Sequence, residues 1–251
     1  MKGRVYLVGA GPGAVDLLTL RAARLLALAD TVFHDALVPV EVLELCAGAH
    51  RVSVGKRCGA HSMRQEEINR RLVSAARQGQ TVVRLKGGDP VLFARVQEEI
   101  DALDAASIPW EIVPGITAAS AAAADLGVSL TCRGEARSVL LATPRVGQGE
   151  RSPAWSPAKA QADTLAIYMA GEEAPALAAG LLEHGWSGTT PVAIVVSASR
   201  PEKRVEITQL DLLAGGVAAH HGNGPVLVLV GSVVGRAAAY ACREERRHAL
   251  G

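Results

Sequence analysis

A chain of 251 residues, 49% of them hydrophobic, can bury one large core or two smaller ones. A formal net charge of +1, with 20% charged and 3% aromatic residues, argues against a nucleic-acid binder and against a membrane-surface protein. Cys46, Cys58, Cys132 and Cys242 form no CxxC pair, which argues against structural zinc and a disulfide framework and fits a reducing cytoplasm.

The first apolar run, Val5–Val8, is too short for a signal peptide and reads as a buried strand closed by Gly9-Ala10-Gly11-Pro12-Gly13. No later run approaches the ~18 residues of a membrane span. Leu18, Ala22, Leu25, Leu26 and Ala29 follow helical spacing. Thr31–Phe33 and Arg51–Val54 are strands, ending at His34-Asp35 and Gly55-Lys56-Arg57. Gln65–Gln78 is a helix stopped by Gly79, and Thr81–Leu85 a strand leading into Lys86-Gly87-Gly88-Asp89-Pro90. Helix Glu98–Ala106, strand Glu111–Val113, the break Pro114-Gly115 and an alanine-rich helix over Thr117–Leu126 follow.

Further strands are expected at Ser138–Ala142, Leu165–Tyr168, Val192–Val196, Arg204–Ile207 and Val226–Val230. Helices are expected at Ala174–Glu183 and Val233–Arg243, and Gln148–Lys159 reads as an exposed loop. Alternation of strand and helix predicts an α/β protein. Pro114-Gly115 divides it into residues 1–114 and 115–251, two α/β domains with a cleft between them.

Ligands of open α/β sheets bind beyond the carboxyl ends of strands. Loops at Gly9–Gly13, Asp35, Gly55–Arg57, Lys86–Pro90 and Pro114–Ala118 all fall there. Gly9, Gly11 and Ala14 satisfy a dinucleotide pattern, but Pro12 lacks the N–H that a pyrophosphate needs, so a tight turn is the competing reading. Gly87 and Gly88 let a ligand touch backbone, and Asp89 can bind a hydroxyl or an amine. A turn in which Asp89 caps the next helix explains the same residues. Asp35 likewise fits a base or a helix-capping aspartate.

The strings Val8-Gly9-Ala10-Gly11-Pro12-Gly13, Asp35-Ala36-Leu37-Val38, Val54-Gly55-Lys56-Arg57, Gln65-Glu66-Glu67-Ile68-Asn69, Val83-Arg84-Leu85-Lys86-Gly87-Gly88-Asp89-Pro90 and Val113-Pro114-Gly115-Ile116-Thr117-Ala118 occur in one order. Together they resemble the uroporphyrinogen III C-methyltransferase family over almost the whole chain, most densely from Val5 to Arg133. The resemblance implies two α/β domains holding S-adenosylmethionine in a cleft, a homodimer, and two methylations that yield precorrin-2 for sirohaem or cobalamin. It implies donor contacts at Pro12, Gly87, Gly88, Asp89, Leu92, Thr117, Ala118, Met169 and Ala198, a base at Asp35 and an acid at Lys56. The implied acceptor carries eight carboxylates. Arg84, Arg95 and Arg133 are the cations expected to bind them, since arginine suits bidentate geometry. Nothing in the sequence suggests a metal site.

The chain departs from the family pattern at Ala36, at Val96-Gln97, at Cys132, at Pro144-Arg145 and at Val196-Ser197. Losing glycines at 96 and 97 should make that segment bulkier and more helical. These departures bear on the acceptor more than on the donor. They leave open another precorrin methyltransferase of the same fold or a non-catalytic tetrapyrrole-binding paralogue; a dinucleotide-dependent oxidoreductase is the reading from a different class.

Overall fold

A computed structural model describes residues 3–55, 63–146, 162–216 and 224–237. The chain forms two compact units, Met1–Thr117 and Ala118–Gly251. The sequence placed the division slightly earlier, at Pro114-Gly115. Among the described residues, no helix is long and apolar enough to cross a membrane.

The first unit is built on five parallel strands in the order β3-β2-β4-β1-β5. They are β1 (Arg4–Gly9), β2 (Thr31–His34), β3 (His50–Ser53), β4 (Thr81–Lys86) and β5 (Trp110–Val113). Helices α1 (Leu20–Leu28), α2 (Val40–Glu44), α3 (Gln65–Arg77) and α4 (Val96–Ala105) make the crossovers. Local signals start and stop them. The Thr19 hydroxyl accepts the Ala22 N–H to cap α1, and Gly79, at φ 85°, follows α3.

Alternation along the strands sorts the core onto the two faces of the sheet. Val8, Val32, Val83 and Leu85 meet Ala22 and Leu26 of α1 and Val42 and Leu43 of α2. Val5, Leu7, Phe33 and Val82 meet Ile68 and Leu72 of α3 and Ile100 and Leu103 of α4. Helix α2 was not foreseen: five residues are too few to carry a readable helical period.

The second unit holds a mixed sheet ordered β6-β7-β10-β8-β9. Its strands are β6 (Val139–Ala142), β7 (Thr164–Tyr168), β8 (Pro191–Val196), β9 (Arg204–Gln209) and β10 (Val226–Val230). Strand β10 runs antiparallel to both β7 and β8. The carboxyl ends of β7 and β8 therefore share one edge with the start of β10. Helices α6 (Ala174–Glu183) and α7 (Leu210–Ala214) cover one face through Leu177, Leu181, Leu210 and Leu213. Each such buried leucine contributes ~1.5–3 kcal/mol. Helix α5 (Ala118–Asp125) lies against β10.

Helix α7 was also unforeseen. The helix expected over Val233–Arg243 is a 3-10 turn, Ser232–Arg236, up to the limit of description. The loop expected at Gln148–Lys159 lies outside the described residues.

Candidate functional site

In the first unit, β1 and β4 are neighbours, yet their connections leave for opposite faces of the sheet. That arrangement is a topological switch point, where open α/β sheets bind ligands. The loops after β1, β4 and β5 meet there. Gly11 N donates to Gly88 O at 3.2 Å and Gly88 N to Gly11 O at 2.7 Å. Ala10 N donates to Lys86 O at 2.7 Å. Two N–H groups of the glycine loop are thus occupied by the neighbouring loop, and Pro12 has none. The dinucleotide reading thereby loses three of the loop's possible donors.

The glycines have a packing reason. A Cβ on Gly9 would lie 2.6 Å from Gly115 Cα and 2.7 Å from Gly88 O. Three loops touch through bare backbone. Gly88 sits at φ 70° with open space where a Cβ would point.

Asp89 ties these loops together. Its Oδ1 accepts from Val91 N at 2.9 Å and its Oδ2 from Gly115 N at 3.3 Å. The turn reading of Asp89 therefore holds, although it caps a loop and not a helix. A carboxylate accepts about four hydrogen bonds, so these two contacts leave capacity for a ligand hydroxyl or amine. Leu92 closes the turn, its N–H on Asp89 O at 3.2 Å. Phe93 and Arg95 follow at φ 53° and 55°, an uncommon conformation for side-chain-bearing residues. Pro12, Gly87, Gly88, Asp89 and Leu92 thus gather at the β1–β4 edge. Thr117 lies just beyond the β5 loop that Asp89 holds.

Beside this edge lies a group of charges that the sequence reading missed. Arg84 and Lys86 point from β4 toward α3 and α4, and Glu99 of α4 meets them with no exposure of its own. Arg84 Nε donates to Glu99 Oε1 at 2.8 Å, and Lys86 Nζ to both Glu99 oxygens at 2.9 Å. Gln65 of α3 adds a 3.3 Å bond to Glu99. The other end of the Arg84 guanidinium, Nη2, donates to Asp35 Oδ1 at 2.5 Å. Asp35 is the partly exposed member of the cluster, its side chain 30% accessible.

Burial opposes the charge on Arg84, but Asp35 and Glu99 outweigh it and hold the guanidinium above its ordinary pKa. Burial, aided by the Arg84 charge, pushes the Lys86 ammonium below its own ordinary value, against the pull of Glu99.

These contacts correct two expectations. Arg84 is 3% exposed and its guanidinium is committed to Glu99, Asp35 and Leu85 O, so it is not placed to receive acceptor carboxylates. Asp35 is no helix cap: Pro39 precedes α2, and no side chain caps it. The legible signal was two cations at alternate positions of an otherwise apolar strand, Val82–Leu85 with Lys86. Their acidic partner lies thirteen to fifteen residues on, across a crossover, and spacing does not reveal it.

Arg95 is exposed and holds Glu98 through two bonds, of 2.7 and 2.8 Å. The helix α4 begins at Val96, so positions 96 and 97 are both helical. Arg133 is an exposed residue of the second unit, in a turn bridged by Cys132 and Ala136. Lys56 lies outside the described residues.

In the second unit, Ala118, Met169 and Ala198 sit at the edge formed by the ends of β7 and β8. Met169 N donates to Val226 O at 3.2 Å and Ser197 N to Pro225 O at 2.9 Å, so the start of β10 holds both turns. Ala119 N, in the first turn of α5, donates to the Tyr168 hydroxyl at 3.2 Å. Met169, Ser197 and Ser199 all have positive φ, at 58°, 53° and 61°. Met169 is 40% exposed and so is not a core side chain. Asp125 fixes the far side of the turn, accepting from Ser199 N at 2.8 Å and Lys203 Nζ at 2.7 Å.

Residues 4–214 match the model of the tetrapyrrole (corrin/porphyrin) methylases. A siroheme synthase of Azotobacter vinelandii is 46% identical over 233 residues, which are 92% of this chain and 50% of that protein. The chain spans about half the length of the curated relatives it matches. A uroporphyrin-III C-methyltransferase of Thermus thermophilus, solved with S-adenosyl homocysteine, is 39% identical with a TM-score of 0.80. That match covers 92% of this chain and 99% of the other. A cobalt precorrin-4 methyltransferase is 27% identical with a TM-score of 0.78, covering 92% of this chain and 95% of its own.

Proposed function

The chain belongs to the tetrapyrrole (corrin/porphyrin) methylases, and from that premise we propose that it is an S-adenosylmethionine-dependent C-methyltransferase acting on uroporphyrinogen III. Two methylations yield precorrin-2, on the way to sirohaem or cobalamin. The observation that carries the reading is the meeting of three glycine-bearing loops around Asp89, in a chain 39% identical to a uroporphyrin-III C-methyltransferase solved with S-adenosyl homocysteine. A homodimer, as the family resemblance implies, and a reducing cytoplasm, which the cysteine spacing fits, complete the proposal.

S-adenosylmethionine supplies an electrophilic methyl group on a sulfonium cation. The open backbone at Gly87 and Gly88 admits a ligand without side-chain obstruction, and Asp89 offers it a carboxylate already fixed by two N–H groups. Pro12, Leu92 and Thr117 are the further donor contacts in the first unit. Ala118, Met169 and Ala198 are the contacts assigned to the second, where an exposed thioether and a small side chain suit the flat face of adenine.

Attack by an electron-rich pyrrole carbon leaves positive charge on the ring. The methyl leaves the sulfonium as S-adenosylhomocysteine departs; Asp35 balances the charge left on the ring and removes a proton from an adjoining position to neutralise it, and Lys56 is assigned as the acid. Arg95 and Arg133 remain the cations assigned to acceptor carboxylates.

Anaerobic incubation with S-adenosylmethionine and uroporphyrinogen III, followed by mass spectrometry, should show a gain of two methyl groups. No gain, with donor binding verified separately, would move the acceptor to another precorrin or the chain to a non-catalytic role. The first of these is the second reading. The departures at Ala36, Val96, Gln97, Cys132 and Pro144-Arg145 favour it, as does the likeness to the cobalt precorrin-4 enzyme.

A further inference from the structure

We infer that Arg84 and Glu99 are positioning residues that hold the Asp35 carboxylate in one orientation. The inference rests on the proposed role of Asp35. Its basis is the way the cluster runs from anchored to accessible. Glu99 is fully buried, Lys86 and Arg84 nearly so, and Asp35 alone is partly open.

The guanidinium has a separate partner for each nitrogen. Nε faces Glu99, Nη1 faces Leu85 O at 3.2 Å, and Nη2 faces Asp35. A planar group so engaged cannot rotate without losing a bond. Glu99 is itself fixed by Lys86 and by Gln65, which bonds Asn69 at 3.0 Å, and Asn69 bonds Glu98 O at 2.9 Å. Two helices and one strand therefore define where Asp35 Oδ1 lies.

Stability alone does not account for the arrangement. Buried ion pairs are often replaceable by apolar side chains at no loss, and the flanking Leu7 and Phe33 show that this face of the sheet accepts them. Two cations facing two carboxylates balance in charge, and the one carboxylate left accessible is at the strand edge beside the donor loops.

The test is a set of full-length variants, Asp35→Asn, Arg84→Lys and the double, with methyl transfer measured at saturating and limiting donor. A lysine at 84 keeps a cation against Glu99 but cannot reach both carboxylates. It should lower kcat on the order of a hundredfold, the effect of an approximately 1 Å misplacement, and change the donor KM by less than about twofold. In the Asp35→Asn background it should cost nothing further, because it acts through that carboxylate.

If Arg84→Lys does not fold, isosteric Glu99→Gln carries the same expectation at about tenfold. Full turnover in Arg84→Lys, or in the folded Glu99→Gln stand-in, where Asp35→Asn is impaired would overturn the positioning role alone, as would losses that multiply in the double variant. Full turnover in Asp35→Asn would instead remove Asp35 from the mechanism.

Discussion

Asp89 serves two partners within the protein, Val91 and Gly115, and is assigned a third in the ligand. Asp89→Ala should weaken S-adenosylhomocysteine binding about tenfold or more, the range for a bond to a charged group. Asp89→Asn, which keeps one acceptor oxygen, should lose less. Calorimetric titration that finds the alanine variant unimpaired would withdraw the donor assignment. The glycines nearby differ in what they resist. Gly115→Ala drives a Cβ into backbone and should cost about 1–3 kcal/mol by overpacking. Gly88→Ala meets open space and should cost only the ~1 kcal/mol of its positive φ. Thermal melts that reverse this order would show that the loops do not touch as described. At this scale the sequence was readable wherever a residue's role is local, as with the Asp89 turn. It was unreadable at Arg84, whose role is decided by a carboxylate on another element.

Helix α4 brings Glu99 to the strand edge, and it is held by Ile100 and Leu103 against the sheet. Leu103→Ala, at a fully buried position, should destabilise the chain by about 2–5 kcal/mol, read as a lower urea midpoint. A midpoint within error of wild type would mean that α4 is not packed there. A second prediction concerns the join of β6 to β7. Asp163 accepts the Ser138 hydroxyl and the N–H groups of Ser138 and Arg137, which hold its carboxyl below the ordinary 3.8. Such a group adds stability above its unfolded pKa and loses it as pH falls through the lower folded value. Asp163→Asn should therefore flatten the acid end of the stability profile below about pH 4 and leave a smaller difference between variants at the lowest pH. Strands and the longer helices were legible because their periods repeat. Helices α2 and α7, at five residues each, give too few repeats to be read.

At the scale of the whole molecule, binding shows itself by mass action. S-adenosylhomocysteine at a hundred times its Kd should stabilise the folded chain by about 2.7 kcal/mol, seen as a raised Tm. A nicotinamide dinucleotide at the same concentration should leave Tm unchanged, because Ala10 and Gly11 have their N–H groups engaged. A rise with the dinucleotide alone would reinstate the oxidoreductase reading. Alternation of strand and helix marked the chain as α/β and the Pro114-Gly115 break divided it in two; strand order was not legible, since no local signal states that β1 lies between β4 and β5. That order also has a consequence during synthesis. Strand β1 has no neighbour in its sheet until β4 emerges, roughly seventy residues later, several seconds at the ~5–20 residues per second of a ribosome. For that interval Val5, Leu7 and Val8 are an unpaired apolar segment on a nascent chain. That segment stays uncovered on its strand edges until the centre of its sheet has been made.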